Sequence, residues 1–293
     1  MRGIIPPLVT PFRADGALDL AAFEANLETY AGWDLGGYLV LGSNGEAATL
    51  EEDEKLALVT AARRLSSGRT LLVGTGQEST QATAAFTRKV ADLGADAALV
   101  LTPHYYKSQM SVDALRRHYQ AVADASPIPV WLYTVPAFTG LPCPPSLPAL
   151  LAGHPRLTGM KESSGDLGLM GRILSSVPSS FRVACGSAPV LYPALCLGAA
   201  AGIVAVACCA PGPATALYRA FCAGDHARAR TLQAAITPLA TAVTAAYGVA
   251  GLKAAIDLAG FRGGEVRPPL LPAAPAVRAE LEPLFRAALA AEA

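Results

Sequence analysis

Short apolar runs rich in β-branched residues alternate with amphipathic segments from the N-terminus to about residue 224. Continuous apolar runs are typical of parallel strands that are covered on both faces. The apolar runs predict eight strands: Gly3–Val9, Gly36–Leu41, Thr70–Val73, Ala97–Leu101, Val130–Tyr133, Leu157–Met160, Arg182–Cys185 and Gly202–Val206. The amphipathic segments predict the intervening helices: Asp19–Ala31, Glu51–Leu65, Ser79–Leu93, Ser111–Ala123, Leu167–Ser176, Pro189–Leu197 and Pro213–Cys222.

Eight strand–helix units predict an α/β protein, a (β/α)₈ TIM barrel that spans residues 1–224. The alternative is an open doubly wound sheet, which would want a glycine-rich phosphate loop after the first strand. The segment LVTPFRADG is no such loop. Pro6 and Pro7 weaken the first predicted strand, because proline lacks the N–H that a sheet needs.

Past Gly224 the pattern is helical only. Helices are predicted at Asp225–Tyr247, Gly248–Leu258 and Pro275–Ala291. We expect residues 225–293 to form a C-terminal helical extension packed against the barrel, with little that could do chemistry.

Composition limits the partners. Of 293 residues, 52% are hydrophobic and 16% charged, which permits a large core. The 23 basic and 23 acidic residues balance, which argues against nucleic acid or an anionic membrane as a partner and favours self-association. The N-terminus lacks a signal-peptide pattern, and no apolar run is long enough to span a bilayer. A cytoplasmic location is therefore expected.

Several kinds of catalytic motif are missing from the sequence. The four histidines are scattered, and there is no HExxH, GxSxG or P-loop pattern. The six cysteines match neither a zinc spacing nor a disulfide framework and are interpreted as reduced core residues. Metal-assisted and serine-hydrolase chemistry are disfavoured, and no metal is expected.

Barrel enzymes carry their reactive groups at the C-terminal ends of the strands. Those ends here include Lys161 and Tyr133, which are one barrel unit apart and should top neighbouring strands. This pair suits Schiff-base catalysis: an apolar barrel interior favours the neutral amine that attacks a carbonyl, and a tyrosine hydroxyl can relay protons. The GSNG turn that contains Ser43 and Asn44 could seat a carboxylate.

Each of these features also has an ordinary structural interpretation. A lysine at a strand end is more often solvated than catalytic. Tyr133 could be a core residue whose hydroxyl is satisfied, and GSNGE could be an ordinary turn before a helix. Periodicity alone leaves the alternatives open.

Five motifs together resemble a known family. GSNGEAATL, TPHYY, LYTVPAFTG, GMKESSG and CGSA stand in the order and spacing of the pyruvate-dependent lysine aldolases, which include dihydrodipicolinate synthase and N-acetylneuraminate lyase. The resemblance runs from Pro6 through the C-terminal helices. Within the family, GSNGE, ESTQAT and the run around LYTVPAFTGL most resemble the 4-hydroxy-2-oxoglutarate aldolases. The implied reaction is cleavage of 4-hydroxy-2-oxoglutarate to pyruvate and glyoxylate, or its reverse, without a cofactor.

The resemblance also implies roles for particular residues. Lys161 would form the Schiff base, and Tyr133 would shuttle protons. Ser43 would link Tyr133 to Tyr105, which would reach across a tight dimer interface into the neighbouring site. The implied assembly is a homo-oligomer, with a dimer of dimers as the family habit.

Further residues are implied to bind substrate. Ser43 and Asn44 would hold the pyruvyl carboxylate, and Ser163 is the candidate for a second carboxylate. Gly186 and Ser187 would line the site from the seventh strand, and Val204 from the eighth.

One departure from the family pattern concerns Phe138. Dihydrodipicolinate synthase carries an arginine there, which grips the carboxylate of its semialdehyde partner, and a phenyl ring cannot make that bidentate bond. Synthase activity is disfavoured on this ground, and the aromatic ring could instead face an apolar or aryl aldehyde. The remaining alternatives are a sugar-acid aldolase, a dehydratase or aryl-pyruvate lyase of the same scaffold, or a non-catalytic protein that binds an oxo acid.

Overall fold

The computed structural model describes residues 1–292, and it contains eight parallel strands in one sheet with the order β1-β8-β7-β6-β5-β4-β3-β2. Pro7 pairs with Leu39 and closes the sheet between its first and last strands, where the Leu8 N–H donates to the Leu39 carbonyl at 2.8 Å. The predicted TIM barrel is confirmed. The strands are β1 (Gly3–Ile4), β2 (Gly37–Val40), β3 (Thr70–Gly74), β4 (Ala97–Leu101), β5 (Val130–Thr134), β6 (Leu157–Glu162), β7 (Arg182–Cys185) and β8 (Ala201–Gly202).

β1 and β8, the first and last strands along the chain, are shorter than predicted. β1 ends at Ile4 rather than Val9, because Pro6 and Pro7 have no N–H to donate to a ladder. β8 covers only Ala201–Gly202, and the apolar run after it folds into a 3₁₀ turn at Ala205–Cys208. An apolar run therefore does not guarantee a strand along its whole length.

Helices follow the strands and form the outer layer. Asp19, Ser79 and Ser111 each cap a helix by accepting a hydrogen bond from a backbone N–H in its first turn. The barrel helices are α1 (Leu20–Tyr30), α2 (Glu52–Leu65), α3 (Thr80–Asp92), α4 (Val112–Ala125), α5 (Pro136–Thr139), α6 (Ser146–Leu151), α7 (Leu167–Ser176), α8 (Leu191–Leu197) and α9 (Pro211–Cys222).

The short helices α5 and α6 were not expected from the sequence. α5 begins with Pro136 in its first turn and stops at Gly140, whose φ of 64° ends the helix in the left-handed conformation. This single turn carries Phe138 at the top of β5, next to the proposed reactive residues.

Hydrophobic residues form two separate cores. The inner core fills the barrel with alternate residues of the strands, such as Leu39, Leu72 and Trp131. The residues between them, such as Tyr38 and Leu71, point outward into a larger core shared with the helices. Both faces of the sheet are therefore buried.

Three helices follow α9: α10 (His226–Thr241), α11 (Gly248–Leu258) and α12 (Pro275–Ala290). α10 continues into a π-helical turn at Ala242–Ala246 and packs on α9 and α12. Within residues 1–292, no helix is both long and apolar enough to cross a membrane.

Candidate active site

A cavity of about 700 Å³ opens at the C-terminal end of the barrel. Four of the predicted site residues line it, and the sequence motifs that carry them come from different strands. They are Ser43, Tyr105, Tyr133 and Phe138. The extension also contributes Val249, Pro269 and Leu270 to the lining. The cavity thus lies where barrel enzymes place their chemistry.

Lys161 lies directly beside Tyr133. The two residues are partners in the β5–β6 register, and the Lys161 Nζ lies 4.3 Å from the centroid of the Tyr133 ring. Lys161 is only 4% exposed, and it makes no salt bridge with any of residues 1–292. Without a counter-ion the amine is not held in an ion pair, and a lysine amine is the nucleophile in Schiff-base formation. Strand β6 extends to Glu162, so Lys161 lies inside the strand rather than just after it.

Ser43 lies within hydrogen-bond distance of Tyr133. Its Oγ lies 3.2 Å from the Tyr133 hydroxyl, close enough for one to donate to the other. Ser43 begins a 3₁₀ turn, Ser43–Gly45, that follows β2. Before this turn Leu41 has a φ of 57°, a strained conformation for a buried leucine. Gly74 permits the approach of that backbone, since a Cβ there would lie 2.0 Å from the Leu41 carbonyl oxygen.

Tyr105 lies at the rim, with 76% of its surface exposed. Glu78 accepts hydrogen bonds from the backbone N–H groups of His104 and Tyr105, at 2.9 and 2.8 Å. The Tyr105 ring also packs edge-on against Tyr106. A fixed backbone therefore presents an open phenol at the mouth of the cavity.

The loops after β6 and β7 pack against each other. The Ser163 Oγ is buried and has no hydrogen-bond partner among residues 1–292. A Cβ on Gly186 would lie 1.9 Å from that oxygen, so only glycine fits there. The same two loops also meet at Gly165, where a Cβ would lie 3.2 Å from the Ser187 Oγ. Ser163 is thus a buried hydroxyl that faces Gly186, and it is not among the residues that line the cavity.

The remaining predicted residues have different surroundings. Asn44 is half-buried within the 3₁₀ turn that begins at Ser43. The side chain of Val204 is fully buried in the outer core, whereas its neighbour Ile203 packs in the barrel with Tyr133. At the eighth strand the barrel-facing side chain is therefore Ile203, because successive residues point to opposite faces.

Phe138 is 62% exposed at the rim. None of the cavity-lining residues is an arginine, and the basic ones are Lys55 and His104. The rim at Phe138 is therefore apolar, with no guanidinium to pair with a carboxylate.

Sequence reasoning missed a buried carboxylate beside the lysine. Glu162 is 1% exposed and follows Lys161 in β6, so it points away from the barrel interior. Burial raises the pKa of Glu162, and the hydrogen bond that its Oε1 accepts from the Ser164 N–H, at 2.8 Å, opposes that rise. This contact fixes the loop that contains Ser163. A charge inside an apolar strand was the only signal in the sequence.

Comparisons with known proteins match the chain over nearly its whole length. The profile of the Dihydrodipicolinate synthetase family matches residues 1–288. The chain is 36% identical over 280 residues to the 4-hydroxy-tetrahydrodipicolinate synthase of an Exiguobacterium species, with 95% of each chain covered. It is 37% identical over 272 residues to that of Methanoculleus marisnigri, with 92% of each covered.

Solved structures are similar over nearly the whole chain. The chloride-inhibited dihydrodipicolinate synthase of Acinetobacter baumannii, complexed with pyruvate, superposes with a TM-score of 0.93 at 28% identity and 98% coverage of both chains. The dihydrodipicolinate synthase of Thermotoga maritima superposes with a TM-score of 0.92 at 29% identity, covering 100% of this chain and 98% of that one.

Fold and site together define a carbon–carbon lyase or synthase of the class I aldolase type. The chain belongs to the dihydrodipicolinate synthetase family. Enzymes of this family use a Schiff base between pyruvate and a lysine and no metal cofactor, act on small molecules and typically oligomerise. The family resemblance is confirmed, whereas the narrower resemblance to 4-hydroxy-2-oxoglutarate aldolases stays a prediction, since these relatives are named as synthases.

Proposed function

We propose that this chain cleaves 4-hydroxy-2-oxoglutarate to pyruvate and glyoxylate, or forms it from them, through a Schiff base on Lys161. The observation that carries the proposal is the chain of contacts from the buried Lys161 Nζ to the Tyr133 ring at 4.3 Å, and from the Tyr133 hydroxyl to Ser43 at 3.2 Å. It supplies a nucleophile, Lys161, beside a proton relay, Tyr133 and Ser43, that lines the cavity.

The proposed reaction begins when the Lys161 amine adds to the C2 carbonyl. Tyr133 gives its proton to the hydroxyl that leaves as water, which leaves a protonated imine and a tyrosinate. Tyr133 takes the proton of the C4 hydroxyl, the C3–C4 bond breaks, and its electron pair moves into the imine to give an enamine. The C4 fragment leaves as glyoxylate. C3 of the enamine then takes up a proton, and water releases pyruvate and restores the amine.

Ser43 and Asn44 would hold the pyruvyl carboxylate, next to the Tyr133 hydroxyl. Ser163 would donate to the second carboxylate of the substrate, which is supported by its unpartnered buried Oγ. Gly186 leaves the space for that hydroxyl, since a side chain there would collide with it.

The proposed assembly is a dimer of dimers in which Tyr105 acts in the partner's site. Its support is the exposed phenol on a fixed loop at the cavity rim. A Tyr105→Phe variant that turns over slowly while still binding pyruvate would support a shared site, and wild-type turnover would contradict it.

Synthase activity is the second candidate, because relatives that are 36% and 37% identical carry the synthase name. Phe138 argues against it, since the rim offers no guanidinium for the carboxylate of the semialdehyde. The two candidates differ in the aldehyde that they accept, so a direct comparison of acceptors separates them.

The experiment measures pyruvate and glyoxylate by mass spectrometry after incubation with 4-hydroxy-2-oxoglutarate, and repeats it with pyruvate plus the semialdehyde of the synthase. Borohydride with pyruvate tests the Schiff base in wild type, in Lys161→Ala, and in the control Lys89→Ala, whose lysine lies on α3 outside the cavity. The proposal is supported if wild type and Lys89→Ala release glyoxylate and Lys161→Ala does not. If pyruvate is trapped by borohydride but no glyoxylate is released, glyoxylate is excluded as the aldehyde. If pyruvate is consumed only with the semialdehyde, synthase activity is favoured. No trapping in wild type would overturn the mechanism.

A further inference from the structure

Glu46 closes the GSNGE motif as a buried carboxylate in an unfavourable backbone conformation. The residue is 4% exposed and has a φ of 52°. It lies between two 3₁₀ turns, Ser43–Gly45 and Ala47–Thr49. A left-handed residue other than glycine persists only where its surroundings hold it.

Both carboxylate oxygens of Glu46 contact the C-terminal part of the chain. The Lys253 Nζ of α11 lies 2.6 Å from Oε1, and the two side chains are 2% and 1% exposed. Oε2 accepts the backbone N–H of Arg267 at 2.9 Å. Burial lowers the pKa of Lys253, and the charge of Glu46 opposes that shift. The contact is a buried ion pair, reinforced by a backbone donor.

Arg267 also contacts residues that follow Glu46 in the chain. Its guanidinium donates to both oxygens of Glu54 at 2.6 Å and to the Thr49 carbonyl at 2.8 Å. The Arg267 Cζ and the Lys253 Nζ lie over the Phe12 ring, 4.1 and 4.7 Å from its centroid. The loop after β2 is therefore bound to the extension through Glu46, Thr49 and Glu54.

We infer that Glu46 is a positioning residue through which Lys253 and Arg267 hold the Ser43–Gly45 turn in the conformation that binds the pyruvyl carboxylate. This role rests on the proposed function. Glu46 follows directly after the turn that carries Ser43, whose Oγ contacts the Tyr133 hydroxyl. Pro269 and Leu270, which lie two and three positions after Arg267, line the same cavity. The extension thereby sets the shape of the site without touching the reacting atoms.

If the ion pair only stabilised the fold, a folded variant without it would bind pyruvate as wild type does. Removing one partner leaves an uncompensated buried charge, whereas replacing both partners with neutral residues of similar size is often tolerated. The double variant Glu46→Gln/Lys253→Met therefore removes the ion pair while keeping an acceptor for the Arg267 N–H. A matched control is Glu52→Gln/Lys89→Met, which removes an ion pair whose side chains are about half exposed, 54% and 49%.

The measurements are folding by circular dichroism, the rate of borohydride trapping at low pyruvate concentration, and KM and kcat with 4-hydroxy-2-oxoglutarate. The folded double variant should show a KM raised by about 10- to 100-fold and trapping slowed by a similar factor, with a smaller change in kcat, because a misplaced binding group costs this much. The control should match wild type.

A folded double variant with wild-type KM and trapping would overturn the role of Glu46. If the double variant does not fold, Glu46→Asp takes its place, since it keeps the charge and shortens the reach of the carboxylate. A wild-type KM in that variant would likewise overturn the role. Failure of wild type to be trapped at all is a separate result that refutes the Schiff base, and the role of Glu46 with it.

Discussion

Two buried lysines of this protein lie in opposite surroundings. Lys161 and Lys253 are 4% and 2% exposed, and each Nζ lies over an aromatic ring, at 4.3 Å from the Tyr133 centroid and 4.7 Å from that of Phe12. Lys253 is paired with Glu46 and also donates to the Glu265 carbonyl. Lys161 has no acidic partner among residues 1–292.

The difference shows how burial can serve either reactivity or structure. A buried ammonium is tolerated when a carboxylate and a carbonyl surround it, as at Lys253. Lys161 has no such partners, so its amine is not held in an ion pair and can add to a carbonyl. The ring beside each lysine also differs, since Tyr133 carries a hydroxyl and Phe12 does not.

The strongest test of this contrast is Lys161→Met. Turnover should fall by at least about 10⁴-fold, because no other group can form the imine. The thermal midpoint should not fall, because the substitution removes a buried amine that has no counter-ion. Initial rates and a thermal melt measure the two effects. A clear loss of stability would show that Lys161 is as structural as Lys253.

Tyr133→Phe separates the ring from its hydroxyl. The variant keeps the aromatic face beside the Lys161 Nζ but removes the contact with Ser43. Loss of a positioned proton relay should lower turnover by about 10²- to 10⁴-fold. The control is Tyr119→Phe, a buried tyrosine whose hydroxyl bonds to the Val100 carbonyl and does not line the cavity. Near wild-type turnover in Tyr133→Phe would exclude it as the relay.

Lys253→Met tests the structural lysine. It leaves the Glu46 carboxylate buried without its cation, which should lower the free energy of unfolding by about 3–5 kcal/mol. Adding Glu46→Gln should recover most of that loss, because no charge then stays buried. Urea unfolding followed by circular dichroism measures both variants. An unchanged midpoint in the single variant would contradict the pairing.

Much of the fold followed from apolar patterning. The predicted bounds of β4, β7, α7 and α11 equal the observed ones, because each is a strong run with clear ends. β1 was predicted too long, since hydrophobicity outweighed the missing N–H groups of Pro6 and Pro7. After β8 the family resemblance implied Val204 as a site residue, whereas Val204 packs in the outer core and Ile203 faces the barrel.

The candidate site divides in the same way. Lys161 and Tyr133 could be placed on neighbouring strands from their spacing, and their register confirms that placement. Nothing in the sequence paired Glu46 with Lys253, because the two residues are far apart in the chain and meet only when the extension packs on the barrel. The extension was expected to hold little that could do chemistry, and this ion pair shows how it packs on the loop after β2. Long-range pairs of this kind depend on tertiary packing, which local patterns do not encode.

The smallest predicted effect concerns a third buried base, His118, which is 7% exposed. Its Nδ1 lies 2.8 Å from the Thr80 Oγ1, and its Nε2 has no hydrogen-bond partner among residues 1–292. Burial lowers the pKa of His118 from 6.5 to about 4, with Glu78 opposing the shift. Between these values the unfolded chain binds a proton that the folded chain does not, so stability is lost as the pH falls through this range.

The loss should amount to about 3 kcal/mol between pH 6.5 and pH 4, from the size of the shift. His118→Gln removes the titrating group and keeps a polar contact for Thr80, so its unfolding free energy should fall less steeply over this range. Glu162 acts in the opposite direction, since burial raises its pKa above 4.5, but it is present in both proteins and cancels in their difference. Denaturant unfolding of both proteins at several pH values measures that difference. Parallel pH profiles would mean that the folded protein accommodates a protonated His118.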